Sequence, residues 1–333
     1  MTSRGFRMLQ IGDQFDHFQI RNHIARGGMG DVYNAYDLIH SREVALKIPD
    51  VMFIGDPAYY ERFQRELDVM SILDHPALQK GVTSGRFKGM PFLVTEFIKG
   101  ESLRDRLERT GPIPPDEAVQ LVRRIADGLA YCHDHGIVHR DVKPDNVLIT
   151  AEGQPILLDF GLALSNQNHR MTYANFSGAA GTPEYMSPEQ IEGHRGDRRS
   201  DVYSLGIMFF EMVTGDVPFH GDTTMAVVAQ HLHARIPRLD RERNDVSPQL
   251  ATVVARCLQR KPKDRYDDMH GLIGDLDHLS TIDISQLDRM TGATTATPYT
   301  RSPFLAPFAT AGFMILVLII VGFILQALHA HSH

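Results

Sequence analysis

The stretch His139-Arg140-Asp141-Val142-Lys143-Pro144-Asp145-Asn146 lies between two apolar runs, Gly136-Ile137-Val138 and Val147-Leu148-Ile149. Any fold of this chain has to bury both runs and still present the charged side chains between them. Its ends are therefore anchored while its middle carries polar groups, the arrangement by which a rigid scaffold holds out chemistry on a loop.

The chain has room for a core that can do this. Its 333 residues suffice for about two domains, and 43% apolar with 23% charged residues is an ordinary globular composition. A net charge of −7 argues against nucleic acid as the main partner. Cys132 and Cys257 stand far apart in helical patterns, which points to a reducing compartment rather than a disulfide framework. The cluster Cys132-His133-Asp134-His135 invites a metal reading, but no second cluster stands at a suitable spacing.

The two ends differ. Residues 1–17 form an extension without the apolar stretch of a secretory signal. Near the other end, Phe308 to Leu325 carries no charge and only Thr310 as a polar interruption. As a helix this run extends about 27 Å, enough to cross a bilayer. We therefore expect a transmembrane helix over 304–328, with a short tail at 329–333. Arg301 on the upstream side agrees with a cytoplasmic location for the rest of the chain. With so little sequence after the helix, no sensor domain is expected beyond the membrane. Gly312 and Gly322 do not make the GxxxG spacing of close helix pairs.

Between these ends the patterning changes once. From Phe18 to Ile98 it is strand-rich: Phe18 to Tyr33, a hairpin return to Leu38, Val44 to Ile48 closed by Pro49, and Phe92 to Ile98. One helix interrupts it over Tyr59 to Leu73, where Phe63, Leu67 and Met70 recur at helical spacing beside Glu66. After Gly100 helices dominate. Pro114-Pro115-Asp116-Glu117 starts one, and Asp201 to Thr214, apolar nearly all round, should lie inside the core and end at Gly215. Surface helices are expected over Gln249 to Leu258 and Asp268 to Leu279. The run from Thr281 to Pro303 has no apolar period and reads as a tether.

Several residue patterns suit transfer of a phosphoryl group from a nucleotide, which needs a backbone cradle, a fixed cation, hard oxygen ligands for a metal and a carboxylate near the attacking hydroxyl. Gly27, Gly28 and Gly30 let backbone amides approach phosphates, although such a loop can equally be a plain hairpin turn. Lys47 sits in a strand, with Glu66 on the next helix as an acid able to pair with it. Asp141, Asn146 and Asp159 offer oxygen donors of the kind that hold Mg²⁺.

These motifs, in this order, resemble the Ser/Thr protein kinases, specifically the eukaryotic-like (Hanks-type) membrane-anchored kinases of bacteria, over roughly Phe18 to Leu279. The resemblance implies an α+β fold of two lobes, β-rich over 18–98 and helical over 99–279, followed by a juxtamembrane linker at 280–303. It implies ATP as phosphoryl donor with Mg²⁺, or Mn²⁺ in its place, and protein Ser/Thr hydroxyls as acceptors. Asp141 would be the catalytic base, Lys143 would steady the γ-phosphate, and Lys47 would bind the α- and β-phosphates while paired with Glu66. Asn146 and Asp159 would hold the metal. Gly27, Gly28, Gly30, Val32, Ala45, Thr95 as gatekeeper, and the hinge from Glu96 to Ile98 would line the nucleotide site. Thr182 would support Asp141, Glu189 would pair with Arg265, and Asp201 would anchor the catalytic loop.

Arg140 before Asp141 implies an activation segment, Asp159 to Glu189, ordered by a phosphate on Thr172, Ser177 or Thr182. The resemblance further suggests a single-pass protein of the cell membrane, with a homodimer favouring trans-autophosphorylation. One departure from the family pattern is Ala25, where the first glycine of the phosphate loop is usual; its methyl should reduce nucleotide affinity at most. Two other readings are a pseudokinase-like membrane scaffold, which has no need of the complete set Lys47, Asp141, Asn146 and Asp159, and an aminoglycoside-type phosphotransferase. The latter leaves Gly181-Thr182-Pro183-Glu184-Tyr185 and Ser187-Pro188-Glu189 without a purpose.

Overall fold

The strand-rich part forms an antiparallel sheet from β1 (Gln14–Phe15), β2 (Phe18–Gly27), β3 (Gly30–Asp37), β4 (Arg42–Pro49), β5 (Gly81–Phe87) and β6 (Met90–Glu96), in the order β1-β2-β3-β4-β6-β5. The computed structural model describes residues 9–27, 30–49, 72–158 and 183–292. Phe15, Phe18, Phe87 and Phe92 pack edge to face under this sheet, at centroid separations of 5.0 to 5.6 Å, and so give a small lobe its core. The β3–β4 turn is held by buried Asp37, whose Oδ1 accepts from the amides of Ile39 and His40 at 3.0 Å each.

Gly30 has its own constraint. At φ 137° it closes the β2–β3 hairpin, and an added Cβ would land on the Ile48 carbonyl and 2.6 Å from the Pro49 Cα. Packing of β3 on β4 therefore demands glycine here, independently of any ligand.

The chain then crosses into a helical lobe through β7 (Gly100–Ser102), α1 (Leu103–Thr110) and α2 (Pro115–Asp134). A three-stranded sheet of β7, β8 (Val147–Thr150) and β9 (Pro155–Leu157) sits beneath the junction. After α3 (Pro188–Ile191) comes α4 (Arg198–Thr214), buried from Ser200 to Val213 as its all-round apolarity predicts. Gly215 ends it at φ 82° in the left-handed conformation that glycine adopts without strain. Within α4, Gly206 lets α7 (Pro248–Cys257) come close, since a Cβ there would stand 2.6 Å from that of Cys257. The helices α5 (Thr224–His233), α6 (Leu239–Glu242) and α8 (Met269–Asp277) complete this layer.

The two-lobed architecture matches expectation, whereas the tether does not begin at Thr281. The chain continues through one-turn helices at Leu279–Thr281 and Ile284–Gln286 into α9 (Leu287–Thr291), which packs on α7. Leu287 is 2% exposed and Thr291 3%, one helical turn apart on the same face, and Asp288 pairs with Arg238. A segment with one buried turn is too short to show an apolar period, so the folded unit extends to Gly292. Among the described residues no helix is long and apolar enough to cross a membrane. The run Phe308 to Leu325 and most of the helix expected over Tyr59 to Leu73 lie outside them.

Leu287→Ala should lower stability by about 2–4 kcal/mol, the usual cost of deleting a buried leucine side chain. Urea unfolding checks this: a loss under about 0.5 kcal/mol, typical of surface positions, would restore the tether reading.

Candidate active site

The loop from His139 to Asn146 emerges after α2, where Gly136 at φ 74° turns the chain and Ile137 is buried. One carboxylate organises it. Asp201, in the first turn of α4 and wholly inaccessible, accepts from the amides of His139 at 2.9 Å and Arg140 at 2.7 Å, and from His133 Nε2 at 2.8 Å. Burial alone would push its carboxyl up, but the His133 hydrogen bond, the pull of both histidines and the Arg140 amide together hold it below the usual carboxylate range. To present two successive amides to one carboxylate, Arg140 adopts φ 66°, which is costly for a residue with a side chain.

His139 fixes the other side of the loop. Its Nε2 donates to the Leu158 carbonyl at 3.0 Å, which leaves Nδ1 to accept from the Asp141 amide at 3.3 Å. Asn146 closes the turn by giving one amide hydrogen to the Asp141 carbonyl at 2.8 Å and the other to Asp141 Oδ2 at 2.9 Å. Lys143 Nζ stands 2.9 Å from that same Oδ2. Asp141, Lys143 and Asn146 thus converge on one point, half-exposed, while Val142 and Pro144 between them are buried. Arg140 reaches out of the loop: its Nε donates to the Arg195 carbonyl at 3.2 Å, and burial together with the charge of Arg195 pushes its guanidinium down to about 10.

The sheet places the remaining candidates. Lys47 lies on β4 across from Val32 on one side and Leu93 on the other, and buried Ala45 faces buried Thr95 on β6. Glu96 ends β6, half-buried Ile98 follows, and Gly27 faces Gly30 at the hairpin end. Gly28, Glu66, Asp159, Thr172, Ser177 and Thr182 lie outside the described residues.

The expected pair of Glu189 and Arg265 forms. Both guanidinium ends of fully buried Arg265 donate to the Glu189 carboxylate, at 2.8 and 2.7 Å, while Ser200 Oγ adds a donor at 2.7 Å. Burial opposes the Glu189 charge, but Arg265 and Ser200 outweigh it and hold the carboxyl below its ordinary value. A second network escaped sequence reasoning: Arg104 on α1 bonds to Glu211 on α4 and to the Tyr185 hydroxyl, which itself donates to Glu211. His133 was also missed as a loop anchor, because the cluster around it reads as possible metal ligands. Here it turns inward to Asp201, and among the described residues no group of three or more His, Cys, Asp or Glu could hold a metal ion.

This arrangement has counterparts. The description of the protein kinase domain family fits residues 18–272. The chain belongs to the protein kinase family. It is 38% identical to the serine/threonine-protein kinase PknL of Mycobacterium bovis over 263 residues, 79% of this chain and 65% of that protein. To the serine/threonine-protein kinase PrkC of Bacillus subtilis it is 34% identical over 259 residues, 78% of this chain and 40% of that one. The chain therefore spans less than two thirds of the length of these relatives. The crystal structure of the Mycobacterium tuberculosis PknI kinase domain superposes with TM-score 0.64 at 25% identity, covering 82% of this chain and all of that domain.

Glu189→Gln leaves Arg265 buried without its charge partner and should cost about 3–5 kcal/mol at neutral pH. Because the folded carboxyl titrates below its unfolded value, its stabilisation is present above the unfolded value and is lost as pH falls through the folded one. Urea midpoints at about pH 7 and about pH 4 should therefore show the gap between wild type and variant narrowing in acid. A constant or widening gap would contradict the assignment.

Proposed function

We propose that this chain is an ATP-dependent Ser/Thr protein kinase. The observation that carries the reading is the convergence of Asp141, Lys143 and Asn146 on a loop held by buried Asp201. The names of PknL and PrkC support Ser/Thr hydroxyls as acceptors.

The residues present fit a nucleotide with Mg²⁺. Asn146 gives both amide hydrogens to Asp141, so its carbonyl oxygen remains as a hard donor of the kind Mg²⁺ prefers. Asn146 and Asp159 would hold the metal, and Lys47, paired with Glu66, would hold the α- and β-phosphates. Bound metal supplies charge neutralisation between the phosphoryl groups. The Asp141 carboxylate orients the substrate hydroxyl and accepts its proton at Oδ1 or Oδ2. Lys143, already beside Oδ2, offsets the negative charge that develops on the transferred group.

Regulation and location follow as parts of the same proposal. Arg140 directly precedes Asp141 and reaches out of the loop to the Arg195 carbonyl, which supports ordering of the activation segment by phosphorylation at Thr172, Ser177 or Thr182. The uncharged run Phe308 to Leu325 supports a single-pass membrane anchor with the kinase lobes on the cytoplasmic side. Such an anchor would raise the effective concentration of a homodimer for trans-autophosphorylation.

Incubation of the chain with labelled ATP, magnesium and a generic basic protein should label both the protein and the chain itself. Asp141→Asn should reduce both by about 10²-fold or more, the scale of a lost general base. Activity in the variant within about twofold of wild type would overturn the proposal.

A further inference from the structure

Gln79 stands where three parts of the site meet. Its amide donates to the Leu157 carbonyl at 3.0 Å, and Ala77 accepts from the Leu157 amide at 2.8 Å, so this short segment is fastened to β9 just before Leu158. Its side chain runs to the first residue of the proposed hinge: Nε2 donates to the Glu96 carbonyl at 3.1 Å. Beside it, the Glu96 amide donates to the Lys80 carbonyl and the Lys80 amide to Glu96 Oε1, each at 3.0 Å. Glu96 is thus gripped at its amide, its carbonyl and its carboxylate by residues 79–80.

The direction of the Gln79 bond decides what else the residue can do. A carbonyl only accepts, so the amino end of the Gln79 amide has to face Glu96, and this sets Oε1 on the other branch of the same carbon. No hydrogen bond to that oxygen comes from any described residue. Gln79 thus brings a second acceptor, its Oε1, to the same hydrogen-bonded pair as Glu96 O. An exocyclic amino group, with two N–H donors, matches two such acceptors. A ring carbonyl at the same position would set a third acceptor against it.

We propose that Gln79 is a base-selectivity residue: it orients the Glu96 carbonyl and supplies a second acceptor for the amino group of adenine, disfavouring guanine. The inference rests on the reading of Glu96 to Ile98 as the base-binding hinge. It goes beyond that reading by adding a side chain from outside the hinge to the recognition of the nucleotide. The bland role, bracing the end of β6, would affect stability but not the choice of base. Selectivity of this kind arises because a site built to bond a particular group leaves its own polar atoms unpaired against an analogue.

The test measures binding of Mg·ATP and Mg·GTP to the full chain by displacement of a fluorescent nucleotide, with phosphotransfer assayed in parallel. Wild type should prefer ATP. Gln79→Leu should weaken ATP binding by about tenfold and GTP binding by less, with turnover at saturating ATP within about twofold. Gln79→Met, unbranched and of similar length, serves should the leucine variant fail to fold. An unchanged ATP-to-GTP ratio overturns the inference, and it does so even where the melting temperature falls. If wild type binds ATP but transfers no phosphate, the kinase reading fails while the ratio still decides the role of Gln79. If wild type binds neither nucleotide, both are overturned.

Discussion

The Asp201 carboxylate is the interaction on which the rest depends. It lies at the start of a buried helix, and it binds the amides of His139 and Arg140 rather than their side chains. Backbone is thereby held at two successive positions, one of them at positive φ, so the residues that follow leave the anchor in a set direction. Asp141, Lys143 and Asn146 meet only because this direction is set. His133 makes the burial of the charge tolerable, since a lone ionised carboxylate in a wholly inaccessible place would take up a proton instead.

Around that anchor, buried charge is used repeatedly, each time beside an opposite charge or hydrogen-bond donors. Arg265 illustrates this: its guanidinium reaches Glu189 and the carbonyls of Arg199, Gln259 and Arg260 at 2.6 to 2.9 Å, and its face lies over Tyr203. It ties α3, α4 and the turn after α7 into one body. Removing one member of such a set costs more than the set contributes, because the remainder is left charged and dry. The helical lobe therefore behaves as a rigid base for the loop, and the contacts of residues 77–79 with Leu157 carry that rigidity up to the hinge.

Much of this was legible in the amino-acid order. An all-round apolar run announces the buried α4, and a charged octet between two apolar runs announces a presented loop. The motif series around Asp141 pointed to the family and to the pair of Glu189 and Arg265. What was not legible depends on tertiary contact. Leu287 is one leucine in a polar stretch, and only its placement on α7 reveals a folded turn where a tether was expected. Gln79 and His133 carry no local signature, because their partners, Glu96 and Asp201, are distant in sequence. Gly30 looked like a ligand-approach residue, yet the backbone of Ile48 and Pro49 already requires it.

The central claim, that one buried carboxylate holds the loop by its backbone, is tested most directly by amide hydrogen exchange in Asp201→Asn. The account predicts that the amides of His139 and Arg140 exchange at least roughly tenfold faster than in wild type, while protection in α7 is retained. Unchanged protection at those two amides, or a loss spread equally over α7, would contradict it.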